Sequence, residues 1–466
     1  MEFYLLNLAI FVVLNALLAY REWRQKEDVE TEKESDARKL VASNDTKALL
    51  KVFKWKFVPI YLLVNGADWL QGPYIYPLYK DEKGLAEEVV AALFMTGFLA
   101  GGVSASFIGK LADKHGRRMA CLVFCVLYSL SCLTLVTDDI LILFLGRALG
   151  GISTTLMYTV FESWMVTEYN KLFPDEPGST LSGIFSIMTI LNSVVAITAG
   201  VIAEWAADLT GTQKAPFMTA VGCLIAAFFM ISSNWSENYG EAASGRSDVE
   251  QMEPPRKSTW RLFMDGKKIL CNNHELCGAN YLLDKRLLAL GATSCFFEGS
   301  MYIFIFFKFP ALKLSHKLTG AADDLPFGLI FAILMCSMML GSMLYNYLIT
   351  SHSSIPPTKI LVVMLSVAAA SFFIPALIRD ERITFWCFCV FELCCGIYFP
   401  LMAYQKGKVI DDSVRANVYG LMRVPLNVFV VLVLSTTREG PQHRDLVFTS
   451  CSGLLLASVA INSYFL

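Results

Sequence analysis

Apolar runs of about 20 residues, the length a helix needs to cross a bilayer, recur along almost the whole chain. Thirteen are legible, near 2–20, 57–79, 86–108, 119–136, 140–165, 181–205, 215–233, 287–309, 326–350, 359–378, 383–404, 417–436 and 446–466. The pattern predicts an all-α polytopic membrane protein. Two long polar stretches, 21–56 and 234–286, divide the runs into one, six and six. The expected organisation is therefore a transmembrane anchor over 1–20, a polar linker over 21–56 and a six-helix half over 57–233. A central loop over 234–286 and a second six-helix half over 287–466 complete it. The first run begins with Glu2 rather than a basic cluster and ends without a small-residue cleavage site. It reads as a permanent anchor rather than a cleaved signal.

Charge fixes an expected orientation. The stretch 21–56 carries ten Lys or Arg and 234–286 carries eight, and GKLADKHGRR over 109–118 is basic too. The alternate loops 80–85, 137–139 and 206–214 hold two, none and one. Basic loops stay on the cytoplasmic side, which puts 21–56 and 234–286 inside and the N-terminus outside. The sequons at Asn44 and Asn234 then lie inside, and a glycan on either would refute this topology.

Composition narrows the partners. Of 466 residues, 55% are hydrophobic and 17% charged, so the lipid bilayer is the first partner. A net charge of −2 implies no nucleic acid. Eleven of the 13 cysteines lie within apolar runs and read as small core residues. CNNHELC over 271–277 has metal-like spacing but no second half, so no metal or cofactor is expected.

Four acids sit inside apolar runs, where an ionised carboxylate costs a few kcal/mol. Asp68 and Glu298 are 230 residues apart, and so are Glu162 and Glu392, each within a VFE triplet. The shared offset predicts two homologous halves in parallel repeat, with a site between them near the midplane. The anchor lies outside that repeat.

The loop Gly109–Lys110–Leu111–Ala112–Asp113–Lys114–His115–Gly116–Arg117–Arg118 resembles the GxLADxxGRR signature of the major facilitator superfamily. The resemblance implies a cytoplasmic conformational latch built on Gly109, Asp113, Gly116, Arg117 and Arg118. A narrower likeness covers most of 57–466: ADWLQGPYIYPLY (67–79), GRALGGIST (146–154), NWSENYG (234–240), FFEGSMYIFIF (296–306), FELCCGIYFP (391–400) and YGLMRVPLN (419–427) are similar to the molybdate-anion transporters. That family implies import of molybdate; the plasma membrane is the expected location. The acidic, Ser-containing stretch near 241–258 departs from it.

Independently of family, the run at 417–436 carries Arg423. Tyr419, Arg423 and Asn427 are spaced four apart and share one helix face. Pro425 frees backbone groups beside them, tolerable only where protein or a cavity satisfies them. A guanidinium with hydroxyl and amide neighbours suits a tetrahedral oxyanion. In the corresponding run Ser186, Thr189 and Ser193 form a polar strip, and Ser193 is offset by 230 from Arg423. Arg147 lies near the outer end of its run, where it could snorkel, and reads as a structural or gate residue first and an anion contact second. The acids Asp68, Glu162, Glu298 and Glu392 either pair with Arg423 or Arg147 in the empty protein, or carry a proton that couples uptake to its gradient. Tyr74, Tyr76 and Tyr79 read as an interfacial belt and pore lining. The glycines at 97, 101, 102, 146, 150 and 151 read as close helix packing.

No nucleophile–base arrangement or Walker loop is present, so an enzyme or ATP-driven pump is not expected. The leading expectation is a secondary transporter working by alternating access. Sulfate, another anion or an organic solute are alternative substrates. A non-transporting sensor or scaffold would tolerate Arg423→Gln but not changes in 234–286.

Overall fold

The computed structural model describes all residues except 37–43, 175–177, 241–284, 320–323, 352–354, 411–414 and 466. The central loop and CNNHELC thus fall outside the described residues. The long helices are α1 (Glu2–Asp36), α2 (Asn44–Gln71), α3 (Glu87–Ala105), the short α4 (Ile108–His115), α5 (Arg117–Thr134), α6 (Ile140–Leu172), α7 (Gly178–Thr210) and α8 (Ala215–Asn234). Then come α9 (Lys285–Leu318), α10 (Phe327–Ser351), α11 (Pro357–Leu377), α12 (Glu381–Val409), α13 (Arg415–Ser435) and α14 (Pro441–Phe465). Among the described residues, eleven helices are long and apolar enough to span a membrane; Met422–Ser435 of α13 is apolar but shorter.

Two boundaries differ from the sequence expectation. The polar stretch 21–56 is largely helical, because α1 runs on to Asp36 and α2 begins at Asn44. The run 57–79 is not one helix: α2 stops at Gln71, a turn follows at Gly72–Tyr74, and a π-helical turn covers Leu78–Glu82. Gly72 and Pro73 supply the break, since proline has no N–H to continue the ladder. That break buries Tyr74, Tyr76 and Tyr79 at 4%, 3% and 0% exposure, so they form no interfacial belt.

The helices group into two compact units. The first comprises Met1–Gly240 with His316–Leu344, the second Glu241–Ser315 with Tyr345–Leu466. In the first, α3 and α6 meet through glycines: a Cβ on Gly151 would stand 2.2 Å from the Gly97 carbonyl oxygen. Likewise α7 and α10 touch at Gly200 and Gly328, where a Cβ on Gly328 would lie 2.3 Å from the Gly200 oxygen. Every residue of α10 from Phe327 to Ser337 is buried, as expected for a helix that is apolar all round. On α1, Tyr4, Asn7, Phe11 and Asn15 form a buried stripe, and Asn15 donates to the Cys336 oxygen of α10 at 3.0 Å. The opposite face of α1, with Leu6, Val13 and Leu17, is exposed.

The loops that charge grouped on one side do meet in this unit. Glu82 accepts from Thr212 Oγ1 at 2.9 Å and Gln213 N at 2.7 Å, and Lys83 pairs with Asp138 at 2.7 Å. The Lys83 ammonium holds the Asp138 carboxyl below the usual carboxylate range. At the other end, GKLADKHGRR bends at Gly116, whose φ of 108° favours glycine. Asp113 accepts from Arg117 Nε at 2.8 Å, while Arg117 Nη1 donates to Ser163 O and Thr167 Oγ1. The segment after α8 folds back over this loop. Glu237 accepts from the Arg118 and Met119 amides at 2.8 and 3.1 Å, and Arg117 N donates to the Asn238 oxygen at 2.9 Å. Trp235 stacks on Trp164 at 3.8 Å and on Phe57 at 5.9 Å. Glu237 therefore supplies the cap that α5 lacks in its own sequence. Glu237→Ala is expected to lower stability by about 1 kcal/mol, the usual worth of a cap, seen as a lower melting temperature in detergent; an unchanged melt would refute the capping role.

The second unit is centred on aromatic packing. Phe304, Phe372, Phe388, Phe391 and Phe448 contact one another from α9, α11, α12 and α14 at centroid distances of 4.7–6.2 Å. Such edge contacts add roughly 0.5–1.5 kcal/mol per pair beyond area burial. Asn462 of α14 donates to Thr293 Oγ1 of α9 at 2.6 Å, fixing the register of the two helices.

Candidate functional site

Each unit holds an acid–tyrosine pair. In the first, Tyr128 of α5 donates to Asp68 Oδ1 of α2 at 2.5 Å. In the second, Tyr398 of α12 donates to Glu298 Oε1 of α9 at 2.9 Å. The two acids are equivalent in the 230-residue offset but their tyrosines are not, so the pairing is alike in kind rather than in position. A short phenol–carboxylate bond is what lets a membrane acid be tolerated.

Arg147 of α6 belongs to the Asp68 cluster. Its Nε donates to the Leu93 oxygen at 3.4 Å, and its guanidinium lies 5.0 Å from the Phe94 ring centroid. Gly97 makes room for it, since a Cβ there would stand 3.0 Å from Arg147 Nη2. Its charge acts on Asp68, Tyr128 and Tyr79. It is half-buried and turned into the unit, not snorkelled outward as the sequence position implied. The Tyr79 hydroxyl beside it is buried and has no hydrogen-bond partner among the described residues.

The VFE glutamates diverge. Glu162 is exposed and opens on a groove of about 450 Å³ lined by Arg117, Tyr158, Thr159, Ser163 and Thr167. Glu392 is buried at 5% exposure and interacts with the ammonium of Lys308, itself 4% exposed. That ammonium also lies 5.7 and 5.3 Å from the Phe304 and Phe309 ring centroids. The residue 230 positions before Lys308 is Leu78, and no buried lysine faces Glu162 among the described residues.

Around Arg423 the expected face exists. Arg423 and Asn427 are exposed and Tyr419 is half-exposed, while Leu426 and Val430 on the other side of α13 are buried. Among the described residues no carboxylate pairs with the guanidinium. Val424 and Val428 on the adjoining positions are exposed as well. Lys406, at the end of α12, lies 3.6 Å from Glu298 Oε1 and 5.6 Å from the Tyr419 ring centroid. The Arg423 charge reaches both Lys406 and Tyr302. Ser193 belongs to the first unit, where its hydroxyl donates to the Thr189 oxygen of its own helix at 3.1 Å. The neighbouring Asn192 accepts from Trp69 Nε1 at 2.9 Å.

Sequence reasoning missed Lys308, Lys406, Glu204 and the two tyrosines. Lys308 and Lys406 lie at the ends of apolar windows and read as boundary lysines; only FFKFP, a lone cation among aromatics, offered a signal. Glu204 is 7% exposed, and its Oε2 accepts from Tyr74 OH at 2.8 Å and from the Gly328 amide at 2.6 Å. Among the described residues, no group of three or more His, Cys, Asp or Glu is placed to hold a metal.

Comparison with known proteins fits this architecture. Residues 30–382 match a family model described as sugar transporters with 12 transmembrane segments. The molybdate-anion transporter of Danio rerio is 31% identical over 91% of this chain and 90% of its own length. That of Takifugu rubripes is 30% identical with the same coverage. The crystal structure of the nucleoside transporter NupG superposes with a TM-score of 0.66 at 12% identity, covering 89% of this chain and 98% of that one, which speaks for the fold alone. The fold is that of a multi-pass secondary transporter rather than an enzyme, and the chain belongs to the molybdate-anion transporter family of the major facilitator superfamily.

Proposed function

We propose that the protein imports a tetrahedral oxyanion, molybdate foremost, by alternating access of two six-helix halves, 57–233 and 287–466, with 1–20 as an added anchor. The observation that carries this reading is Arg423: a guanidinium without a carboxylate partner among the described residues, exposed on an apolar helix beside Tyr419 and Asn427. Two neighbouring oxygens of a dianion match its fork, and hydroxyl and amide donors complete the shell. Ser193 is assigned to the same substrate path. The relatives' name, molybdate-anion transporter, supports the choice of anion.

Asp68, Glu162, Glu298, Glu392 and Arg147 are assigned to coupling or gating. The charge of Arg147 beside Asp68, and of Lys406 beside Glu298, supports the pairing form of that idea. Proton coupling is the further possibility that a carboxylate admits; uptake indifferent to external pH and to uncouplers would remove it. The loop Gly109, Asp113, Gly116, Arg117 and Arg118 is assigned to a cytoplasmic latch. The membrane is the plasma membrane, with the N-terminus outside and 21–56 and 234–286 in the cytoplasm.

The family model's description favours a second reading, an uncharged sugar. Sugars are bound by uncharged donors and aromatic faces, and a bare guanidinium offers them little. The experiment is uptake of trace molybdate into cells lacking their own carrier, with excess sulfate or hexose in parallel samples. Saturable uptake that hexose leaves intact is expected. Absence of uptake at good surface expression would reject molybdate, and strong inhibition by sulfate would widen the substrate to tetrahedral dianions.

A further inference from the structure

Two cations lie near one another where α12 and α13 face each other in the second unit. Lys406 and Arg423 supply the two cations, and Glu298 is the carboxylate that faces the Lys406 ammonium. Glu298 Oε1 is already engaged by Tyr398 OH at 2.9 Å, and the ammonium stands off at 3.6 Å, beyond a direct hydrogen bond. The ion pair is therefore loose. Neither member is sealed away, with side-chain exposures of 15% for Lys406 and 22% for Glu298. The ammonium also lies near the ring of Tyr419, the residue that shares a face with Arg423. Lys406 thus brings a charge from α12 toward the face that α13 presents.

We propose that Lys406 is a second cationic contact for the transported oxyanion, and that Glu298 is its resident counter-ion, displaced when substrate arrives. The inference rests on the anion-transport reading of this site. A tetrahedral dianion has oxygens enough for both groups: the planar fork takes two, and the ammonium, a point charge with three donors, takes another. The arrangement also explains why an acid belongs in an anion site. An empty pocket with two bare cations would be costly to desolvate, and Glu298 offsets part of that cost between cycles. When the lysine turns to substrate, Glu298 retains the Tyr398 hydroxyl as a donor.

The two residues should respond in opposite directions. Lys406→Gln is expected to raise the KM for molybdate about tenfold or more, as loss of one charge-assisted contact would. Lys406→Arg should restore much of it. Glu298→Gln removes the competitor and should lower KM while slowing turnover. Lys408→Gln, whose ammonium lies over the Tyr404 ring at 4.6 Å, serves as the neighbouring-charge control and should leave KM unchanged. All values are taken at matched surface expression. If Lys406→Gln and Glu298→Gln shift KM in the same direction, the pair is merely structural and the inference is overturned. An unchanged KM in Lys406→Gln overturns it as well. Should Lys406→Gln fail to reach the surface, the direction of Glu298→Gln alone decides: a raised or unaltered KM refutes counter-ion displacement. If the wild-type protein moves no oxyanion and molybdate or sulfate leaves the melting temperature of purified protein unmoved, the transport reading itself falls and takes this one with it. Normal wild-type uptake with unresponsive variants isolates the failure to Lys406.

Discussion

Arg423→Gln will abolish most saturable oxyanion uptake while leaving the protein at the cell surface. A guanidinium bound to a dianion through two charge-assisted hydrogen bonds contributes roughly 3 kcal/mol or more, on the order of 100-fold in apparent affinity. The retained surface level follows from the environment of Arg423. No described carboxylate depends on it, so its removal strands no buried charge. Arg423→Lys, which keeps charge and loses the fork, should fall between. Trace molybdate uptake normalised to surface biotinylation measures both. A transport rate in Arg423→Gln equal to wild type would take the substrate site away from α13.

The second large effect is structural. A Cβ on Gly151 would lie 2.2 Å from the Gly97 oxygen and 3.0 Å from the Gly101 amide, so the obstruction is backbone rather than a side chain that swings aside. Gly151→Ala must push α3 and α6 apart where they cross. Overpacking of this kind costs about 1–3 kcal/mol, and the absence of a yielding neighbour puts Gly151 at the upper end. The detergent-solubilised variant should melt several degrees lower or fail to reach the surface. Gly222→Ala is the control, since nothing lies within 4 Å of its Cβ position. Equal melts for the two variants would show that the glycine contact is not what holds these helices.

Much of this was legible in the chain because membrane helices are written in long local signals. The apolar windows located most helices, and the 4-residue spacing of Tyr419, Arg423 and Asn427 gave their common face. Glycines 97 and 151 announced close packing through their size alone. What stayed hidden depends on pairs far apart in sequence. Nothing local links Asp68 to Tyr128, or Glu298 to Tyr398 and Lys406. A hydropathy window also ends at its first lysine, whether or not the helix does; Lys308 and Lys406 both lie in helices that continue beyond them. The tyrosines 74–79 misled for a related reason. Their composition matches a lipid interface, but the break after Gln71 turns them inward. The 230-residue offset that pairs Glu162 with Glu392 says nothing of their surroundings, which differ: Glu162 is exposed, whereas Glu392 is buried against Lys308.

The meeting of α7 and α10 carries one last consequence. At Gly200 and Gly328 the two helices approach main chain to main chain, with the Cβ atoms of Glu204 and Ala332 beside the contact, so the crossing has no slack for a larger residue. Directly adjoining that crossing, the Glu204 carboxylate grips the first turn of α10 and the Tyr74 hydroxyl together. That grip is one of several ties on α10, beside the Asn15 bond to the Cys336 oxygen and the Trp69 and Tyr74 rings against Phe331 and Phe327. Releasing it would leave a buried carboxylate short of donors, so sliding α10 along α7 carries an electrostatic cost in addition to the packing cost.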